Sequence, residues 1–414
     1  MPSTEMSERE RAVVEALFDT IAPERSDRAA GLALLVEKIG CVATHRFARL
    51  RRLLWLLDSP WFSYMRIRVF ARFGDLALSD RERLLRSMAD SDLALVRAGF
   101  QAFKRLCAFA AYACVDAQGR NPLWEDGGYP GPRSDRTPGP ALALARAGGS
   151  IDCDAVVIGS GAGGGVAAAL LAARGQRVVV LELGPATDPS KFTQREADAF
   201  GAFYLDAGLT ATDDLAISIL AGSCVGGGTT VNWCTALRLG DRVAAQWSSA
   251  SGGVDFGASL EPHYAAIESR LAVAPTSEHN ANNAAIARGC AALGWRAIDS
   301  PRNASGCGDG CGYCGFGCAY DHKRSTAATY LRDAIQAGAQ VMAGVTVERI
   351  TIVGGRVTGV EATTSDGARV SVRAPLVVAC AGSLRTPALL ARSGVSSSHL
   401  GRHLRLHPTT AVFA

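Results

Sequence analysis

Residues 156–165 read VVIGSGAGGG, and this stretch decides the fold of the region around it. The β-branched residues before the glycines predict a buried strand of a parallel sheet. Gly159, Gly161 and Gly164 then follow in the order G-x-G-x-x-G. The first glycine makes a tight turn, the second lets a pyrophosphate approach the backbone, and the third lets the next helix pack on the strand. The stretch therefore predicts a nucleotide-binding βαβ unit.

The residues downstream of these glycines complete the unit. The Ala-rich segment Val166–Ala173 predicts a helix, and its N-terminal N–H groups, together with Gly163, would face the phosphates. Val178–Leu181 predicts a second buried strand, which ends at Glu182. A carboxylate at this place can accept hydrogen bonds from both hydroxyls of an adenosine ribose. Strand, glycines, helix, strand and acid in this order predict binding of an ADP-containing dinucleotide.

The length and composition are those of a globular protein. The chain has 414 residues, of which 48% are hydrophobic and 20% charged, and this is enough for two or three domains. The net charge of +4 is too small to suggest a nucleic-acid partner. The N-terminus lacks a secretory pattern, and no run of 18 apolar residues occurs. We predict a cytoplasmic location, in which the 12 cysteines are thiols or metal ligands.

The chain divides into three predicted parts. The first is a helical N-terminal region, residues 1–120, and the second is a Gly/Pro-rich linker, residues 121–150. The third is an α/β domain, residues 151–414, which contains a cysteine-rich insertion at 303–325. Ser7-x-x-Glu10 and Ser79-x-x-Glu82 have the spacing of capping boxes, so each predicts the start of a helix. The α/β class follows from the strands and helices after residue 151.

Arginines and aromatic residues alternate in the segment 46–73 of the helical region. One interpretation is a surface for peripheral membrane contact, with arginines toward lipid headgroups and aromatics at the acyl boundary. The other is a helical bundle whose aromatics form its core, and we favour it because such stripes are usually packing. The residues are Arg46, Arg49, Arg51, Arg52, Arg66, Arg68, Arg72, Trp55, Trp61, Phe62, Tyr64, Phe70 and Phe73.

Two further segments have small residues that would let their backbone lie against the dinucleotide predicted for the first glycine motif. Residues 222–233 read GSCVGGGTTVNW, in which three glycines precede hydroxyl and amide side chains. Leu376–Ala379 predicts another buried strand, which is followed by a turn of small residues and a helix. Strands are also predicted at 340–346 and 347–353, and a hairpin at 355–373. We expect both glycine-containing segments to approach the ligand of the first one.

Together these motifs resemble the glucose–methanol–choline (GMC) oxidoreductases. The resemblance rests on Gly159–Gly164 with Glu182, on Gly226-Gly227-Gly228-x-x-x-Asn232, and on residues 381–408, which include Ala381-Gly382-Ser383 and Leu404-x-x-His407-Pro408. The segment 225–233, the cysteines before residues 323–326 and the helical N-terminus look more narrowly like the long-chain fatty alcohol oxidase/dehydrogenase branch.

The resemblance implies an FAD-binding Rossmann-like domain of GMC type behind an all-α region. It implies FAD as the cofactor, long-chain alcohols as small-molecule substrates, and hydride transfer from the CH–OH group to flavin N5. Asn232 and its glycines would lie on the flavin side, and Val347 on the adenine-contacting strand. The implied cofactor residues are Gly159, Gly161, Gly163, Gly164, Glu182, Val225, Gly226, Gly227, Gly228, Thr229, Asn232, Val347, Ala381 and Gly382.

Four cysteines lie close together, at Cys307, Cys311, Cys314 and Cys318. Thiolates at this spacing on a glycine-rich backbone suit an iron–sulfur cluster, whereas small buried thiols or a disulfide would explain the same pattern. Both interpretations stay open. An intact cluster would favour a sugar or sterol dehydrogenase that passes electrons to a quinone or an electron-acceptor protein. The cysteines elsewhere in the α/β part are interpreted as small core residues, and these are Cys224, Cys234, Cys290 and Cys380.

The catalytic base that the resemblance implies has no counterpart in this sequence. In the family it is a histidine, paired with a second His or Asn, in the C-terminal segment. This chain ends at Ala414, soon after the element with His407, which we interpret as structural. We therefore expect the base and most of the C-terminal substrate domain to lie beyond Ala414. The alternative is a flavin-binding fragment that is catalytically incomplete.

Overall fold

The computed structural model describes residues 6–41, 44–213, 217–276, 279–307 and 311–407, except for the side chains of residues 44–46. The chain divides into two compact units. The first comprises Met1–Asp135 and Thr193–Ala221, and the second comprises Arg136–Phe192 and Gly222–Ala414. The first is helical and the second contains a parallel sheet with helices, so the predicted α/β class with a helical N-terminal region is confirmed. The domain boundaries at residues 120 and 150 stay predictions.

The first unit is built from helices around one apolar core. Ser7 caps the first helix as predicted, because its hydroxyl accepts the Glu10 N–H at 3.2 Å and the Glu10 carboxylate accepts the Ser7 N–H at 2.8 Å. Val13, Leu17 and Phe18 lie on its buried face. The helices are α1 (Glu8–Ile21), α2 (Arg28–Gly40), α3 (Thr44–Leu57), α4 (Pro60–Ile67), α5 (Leu78–Ala89), α6 (Ala94–Ala113), α7 (Pro122–Asp126) and α9 (Glu196–Phe203).

The second predicted capping box is wrong. Helix α5 begins at Leu78 with Ala77 as its N-cap, and no side chain caps it. Ser79 therefore lies within the first helical turn instead of before it. The Arg81 N–H bonds the Ala77 carbonyl oxygen at 3.0 Å, which fixes this earlier start.

The aromatic residues of the segment 46–73 divide between core and surface. Phe62 and Phe73 are buried, as the core interpretation predicted. That interpretation is wrong for the aromatics on the outer face, because exposure reaches 69% for Trp55, 65% for Trp61 and 59% for Phe70, and Tyr64 is exposed as well. Helical spacing predicts that aromatic residues lie along one face of a helix, but it does not predict whether that face points toward the core or toward water. The side chain of Arg46 lies outside the described residues.

The second unit contains the predicted parallel sheet, whose strand order is β10-β2-β3-β6. The valines of β2 and β3 are fully buried because α8 and α14 cover one face and apolar side chains of the second sheet cover the other. The strands are β1 (Gly149–Asp152), β2 (Ala155–Ile158), β3 (Val178–Leu181), β4 (Ala274–Pro275), β5 (Pro301–Arg302), β6 (Gln340–Met342), β7 (Val345–Val353), β8 (Arg356–Thr364), β9 (Arg369–Arg373) and β10 (Leu376–Ala379). The helices are α8 (Ala162–Ala172), α10 (Gly228–Val231), α11 (Asp241–Ala250), α12 (Phe256–Arg270), α13 (Ala281–Ala292), α14 (Tyr330–Gln336) and α15 (Gly382–Arg392).

The second sheet has the order β1-β9-β8-β7 and contains the predicted hairpin as β8 and β9. The predicted strand at 340–346 is shorter in the structure, because β6 ends at Met342 and Gly344 turns the chain with φ of +69°. The strand β7 then leads away into the second sheet. Val156 and Val179 of the parallel sheet share a core with Val360 and Val372 of this one.

Helices α12 and α13 bury none of their residues. Several apolar side chains of α13 and its surroundings face water, among them Ile286 at 56% and Trp295 at 68% exposure. In the described ranges, no helix is both long and apolar enough to cross a bilayer.

Candidate cofactor site

The glycine-rich turn lies between the end of β2 and the start of α8. Gly159 has φ of +97°, and a Cβ there would lie 2.4 Å from the carbonyl oxygen of Cys380. A Cβ on Gly164 would lie 1.8 Å from the carbonyl oxygen of Gly159. No side chain fits at either position, so the turn is formed by main-chain atoms alone. The first N–H groups of α8 follow directly behind this turn and lack partners within the helix.

Glu182 follows β3, and its carboxylate holds the glycine-rich turn by hydrogen bonds. Its side chain is buried, and its Oε2 accepts hydrogen bonds from the Ser160 N–H at 2.9 Å and the Ser160 hydroxyl at 2.6 Å. Its Oε1 accepts the Gly184 N–H at 2.9 Å. Oε2 therefore uses both of its lone pairs on donors of the protein, whereas Oε1 retains one lone pair for a further donor. The predicted contact of Glu182 with ribose hydroxyls stays a prediction.

The second glycine segment packs on the first one, backbone against backbone. The Gly226 N–H donates to the Ser160 hydroxyl oxygen at 2.9 Å. Gly227 has φ of +52°, and a Cβ there would lie 2.9 Å from the Cα of Gly161. Val225 is buried beneath the loop, whereas Gly228 is exposed beside it. The structure thus brings Val225–Gly228 to the predicted nucleotide turn.

The third segment joins the same edge of the sheet. The Cys380 N–H donates to the Ile158 carbonyl oxygen at 2.8 Å, which places the turn after β10 beside the turn after β2. Ala381 precedes α15, and Gly382 is exposed with φ of +76°. Val347 packs in the core between the two sheets. Its contact with adenine stays a prediction.

Two hydroxyl residues that the sequence reasoning missed connect these segments. Ser160 occupies a variable position of the glycine motif, yet its hydroxyl links Glu182 to Gly226. The Thr326 hydroxyl donates to the Ser160 carbonyl oxygen at 2.9 Å, and the Thr326 N–H donates to the Thr229 hydroxyl at 3.0 Å. The motif at 323–326 marked this stretch, but nothing in its spacing indicated a contact 166 residues away.

A buried lysine lies at the far end of the second glycine segment. The Lys323 ammonium donates to the carbonyl oxygens of Thr230 at 2.8 Å, Asn232 at 2.6 Å and Cys314 at 2.7 Å. Its side chain is 3% exposed, and this burial lowers the pKa of the ammonium below its ordinary value. Asn232, the predicted flavin-side residue, is therefore held through its own main chain.

The hydrogen bonds between the cysteine thiols do not follow the order of the cysteines in the sequence. The thiol of Cys234 donates a hydrogen bond to Cys314, which together with the charges of Lys323 and Arg302 lowers the pKa of Cys314 to about 6. Cys307 is hydrogen-bonded to Cys311, and burial adds to the rise of its pKa. The Cys318 Sγ accepts a hydrogen bond from the Lys323 main-chain N–H at 3.4 Å.

These contacts bear on the predicted iron–sulfur site. Cys234, interpreted from the sequence as a small core residue, is buried, but it is also the partner of Cys314. Among the residues that the structure describes, no group of three or more Cys, His, Asp or Glu side chains is arranged to hold a metal ion. The metal role of Cys307, Cys311, Cys314 and Cys318 stays a prediction that these contacts do not support.

The arrangement as a whole fits a dinucleotide. Three main-chain turns meet at the carboxyl edge of a parallel sheet, which is where such folds bind dinucleotides. A family model described as GMC oxidoreductase matches residues 200–409, and one described as FAD binding domain matches residues 154–202. The chain belongs to the GMC oxidoreductase family. Its cofactor is FAD, as the resemblance implied.

Individual relatives agree with this family. The GMC chain is 32% identical to the long-chain-alcohol oxidase FAO4A of Arabidopsis thaliana over 88% of its own length and 59% of that protein. It is 38% identical to an uncharacterized GMC-type oxidoreductase of Mycobacterium tuberculosis, over 63% of this chain and 42% of that protein. The chain thus spans only part of the length of these relatives. A solved structure of pyridoxine 4-oxidase from Mesorbium loti aligns with a TM-score of 0.45 at 21% identity, over 59% of this chain and 52% of that one.

Proposed function

We propose that this protein oxidises the CH–OH group of long-chain alcohols with FAD. The observation that carries the proposal is the meeting of three main-chain turns, in which Gly227 packs on Gly161 and Cys380 packs on Gly159 around the buried Glu182. The long-chain-alcohol oxidases among its relatives support the substrate class.

FAD, when bound, supplies a ring system that accepts a hydride from the carbinol carbon. The N–H groups at the start of α8 bind the pyrophosphate in this proposal. The loop Gly226–Asn232 orients the flavin side, and Glu182 holds the two glycine turns together through Ser160. The alcohol loses a hydride from carbon and a proton from oxygen, and so becomes an aldehyde or ketone. We assign the proton acceptor of this step to none of the described residues.

The electron acceptor in this proposal is molecular oxygen. Several relatives are long-chain-alcohol oxidases, which supports oxygen over a quinone or a protein acceptor. A sugar or sterol dehydrogenase with an iron–sulfur cluster has no observation in its favour among the described cysteines.

Flavin reduction tests the proposal directly. We expect the purified whole protein to bind FAD, and 1-dodecanol added anaerobically to bleach its flavin absorption at about 450 nm. Glucose and cholesterol serve as control substrates, and we expect them to leave the flavin absorption band unchanged. Admission of oxygen should restore the band with release of hydrogen peroxide. Bound flavin that no alcohol bleaches would instead favour a flavin-binding chain that is catalytically incomplete, and bleaching by glucose or cholesterol alone would contradict the substrate class.

We also propose that the exposed aromatic surface on α3, α4 and the residues after α4 contacts a membrane. This surface consists of Trp55, Trp61, Tyr64, Met65 and Phe70, and all five are exposed. The Trp61 and Phe70 rings pack edge to face with centroids 5.0 Å apart, so they form one patch. The exposed arginines around it would face anionic headgroups, and these are Arg49, Arg52, Arg68 and Arg72. Aromatic side chains beside basic ones suit the interfacial region of a bilayer.

Sedimentation with lipid vesicles tests this surface. We expect the chain to sediment with vesicles containing phosphatidylserine, and a Trp61→Ser/Phe70→Ser variant to lose most of this binding. Both side chains are exposed, so the substitutions should leave folding unchanged. Leu95→Ser is the matched control, since Leu95 is 72% exposed in the same unit and lies outside the aromatic surface. Equal loss in the control, or binding that survives in the double variant, would refute the membrane role.

A further inference from the structure

Lys323 is a buried cation whose hydrogen bonds are all made to main-chain carbonyl groups. An ammonium has three N–H donors, and here one donor is available for each of the carbonyls of Thr230, Asn232 and Cys314. All three distances lie between 2.6 and 2.8 Å. Burial of a charge is costly unless hydrogen bonds of this kind offset the loss of water. The side chain therefore has a specific geometric role rather than a general packing role.

The three carbonyl groups belong to two different segments. Thr230 lies in the last turn of α10 and Asn232 directly follows that helix, so Lys323 binds the carbonyl end of the helix. Cys314 lies in a short 3-10 helix, Tyr313–Phe316, of the cysteine-rich segment. One side chain thus joins the end of the glycine loop to the cysteine-rich segment, and Lys323 itself lies 91 residues after Asn232 in the chain.

The beginning of the same loop is held from the same stretch of chain. The Thr326 N–H donates to the Thr229 hydroxyl at 3.0 Å, and the Thr326 hydroxyl donates to the Ser160 carbonyl oxygen at 2.9 Å. The Thr229 hydroxyl in turn donates to the Gly226 carbonyl oxygen at 2.6 Å. Residues 323–326 therefore hold the glycine loop at both ends and connect it to the nucleotide turn.

We infer that Lys323 is a positioning residue, which fixes the loop Gly226–Asn232 in the conformation that receives the flavin side of FAD. The inference rests on the FAD-dependent function proposed above. Without the ammonium, three carbonyl groups lose their donor, and the Asn232 end of the loop is no longer tied to the cysteine-rich segment. The three hydrogen bonds of the ammonium go to the glycine loop and the cysteine-rich segment, and none of them goes to a strand of the parallel sheet. FAD binding is therefore expected to depend on this side chain more strongly than folding does.

A Lys323→Met variant separates positioning from stability, because methionine keeps much of the chain length but offers no donor. Thr329→Val is the matched control, since Thr329 is fully buried and its hydroxyl bonds the Ser325 carbonyl oxygen at 2.7 Å. The readouts are the FAD dissociation constant from quenching of flavin fluorescence, the visible circular dichroism of bound flavin, and the thermal unfolding midpoint without FAD. For Lys323→Met we expect at least about tenfold weaker FAD binding and an altered flavin dichroism. For Thr329→Val we expect wild-type values of both, even where its unfolding midpoint falls equally.

Several results would overturn the inference. Lys323→Met with the wild-type dissociation constant and dichroism would do so, and so would equal loss of FAD binding in the Thr329→Val control. If Lys323→Met does not fold, Lys323→Gln replaces it. Its amide has two N–H donors on a shorter side chain and cannot satisfy all three carbonyl groups, so we expect weaker FAD binding than in the wild type. A wild-type dissociation constant in this folded variant would overturn the inference that the three-way contact positions the loop. A wild-type chain that binds no FAD would overturn the proposed function together with the inference. An unaffected Lys323→Met beside a wild type that binds FAD overturns the inference alone.

Discussion

A Gly164→Ala variant is expected to lose FAD binding and much of the stability of the α/β unit. The new Cβ would lie 1.8 Å from the Gly159 carbonyl oxygen and 2.9 Å from its carbonyl carbon. Both are main-chain atoms of the tight turn, so relief of the clash requires α8 to move away from β2. Overpacking that displaces backbone destabilises strongly, and we expect a loss of about 3 kcal/mol or more in the free energy of unfolding. Urea unfolding and FAD titration measure the two effects.

The adjacent glycine provides a matched control for stability. A Cβ on Gly163 would have the Cys380 Sγ as its nearest neighbour at 3.7 Å, which is an ordinary contact. Gly163 lies within α8, where alanine is the better helix former, so we expect Gly163→Ala to match or exceed the wild-type stability. A Gly164→Ala variant as stable as Gly163→Ala would show that the turn tolerates a side chain and would contradict the backbone-contact account.

The second large effect is expected at Glu182. Its removal in Glu182→Ala leaves the Ser160 N–H, the Ser160 hydroxyl and the Gly184 N–H without their acceptor. A buried unsatisfied donor costs about 1–3 kcal/mol, so the free energy of unfolding should fall by about 3 kcal/mol or more. FAD affinity should fall by at least about tenfold, because Ser160 also holds the Gly226 N–H. Denaturant titration of the FAD-free chain and fluorescence titration with FAD provide the measurements.

Two further variants sharpen this test. Glu182→Gln keeps one carbonyl acceptor but turns an amide N–H toward a donor, so its losses should lie between those of wild type and Glu182→Ala. Glu268→Gln removes a carboxylate that pairs with Arg238 at the surface, where water and salt screen such pairs and they contribute little to stability. Equal losses in Glu268→Gln and Glu182→Ala would mean that Glu182 has no special role in the glycine turns.

The parts of the fold that the sequence predicts well are those with local causes. The buried strands β2 and β3 follow from runs of Val and Ile that suit a sheet covered on both faces. Strand β10 forms at Leu376–Ala379 as predicted, but the prediction that it is buried is wrong, because Leu376 is exposed and its other residues are only half-buried. The turn after β2 follows from glycines at positions where main-chain atoms lie too close for any Cβ. Local backbone constraints of this kind depend only on consecutive residues, so a single sequence is sufficient to predict them.

The connections within the site have causes that a single sequence does not display. Ser160 stands at a position where the motif accepts many residues, and its role depends on Gly226 and Thr326, which reach it only through the fold. Cys314 is four residues from Cys318 but is hydrogen-bonded to Cys234, which stands 80 residues earlier in the chain. Trp61 and Phe62 are consecutive residues of α4, yet Trp61 faces water and Phe62 faces the core.

The hydrogen bonds of Ser160 also bear on the order in which the molecule acquires its structure. Its contact with Gly226 closes a loop of 66 residues, and its contact with Thr326 closes one of 166 residues. The longer closure costs about 0.8 kcal/mol more in chain entropy than the shorter one. Contacts so distant along the chain form late, after strands β2 and β3 have paired nearby. During synthesis, a nascent chain that ends before Thr326 lacks the donor for the Ser160 carbonyl, so the three turns complete their assembly only after residue 326 has been made.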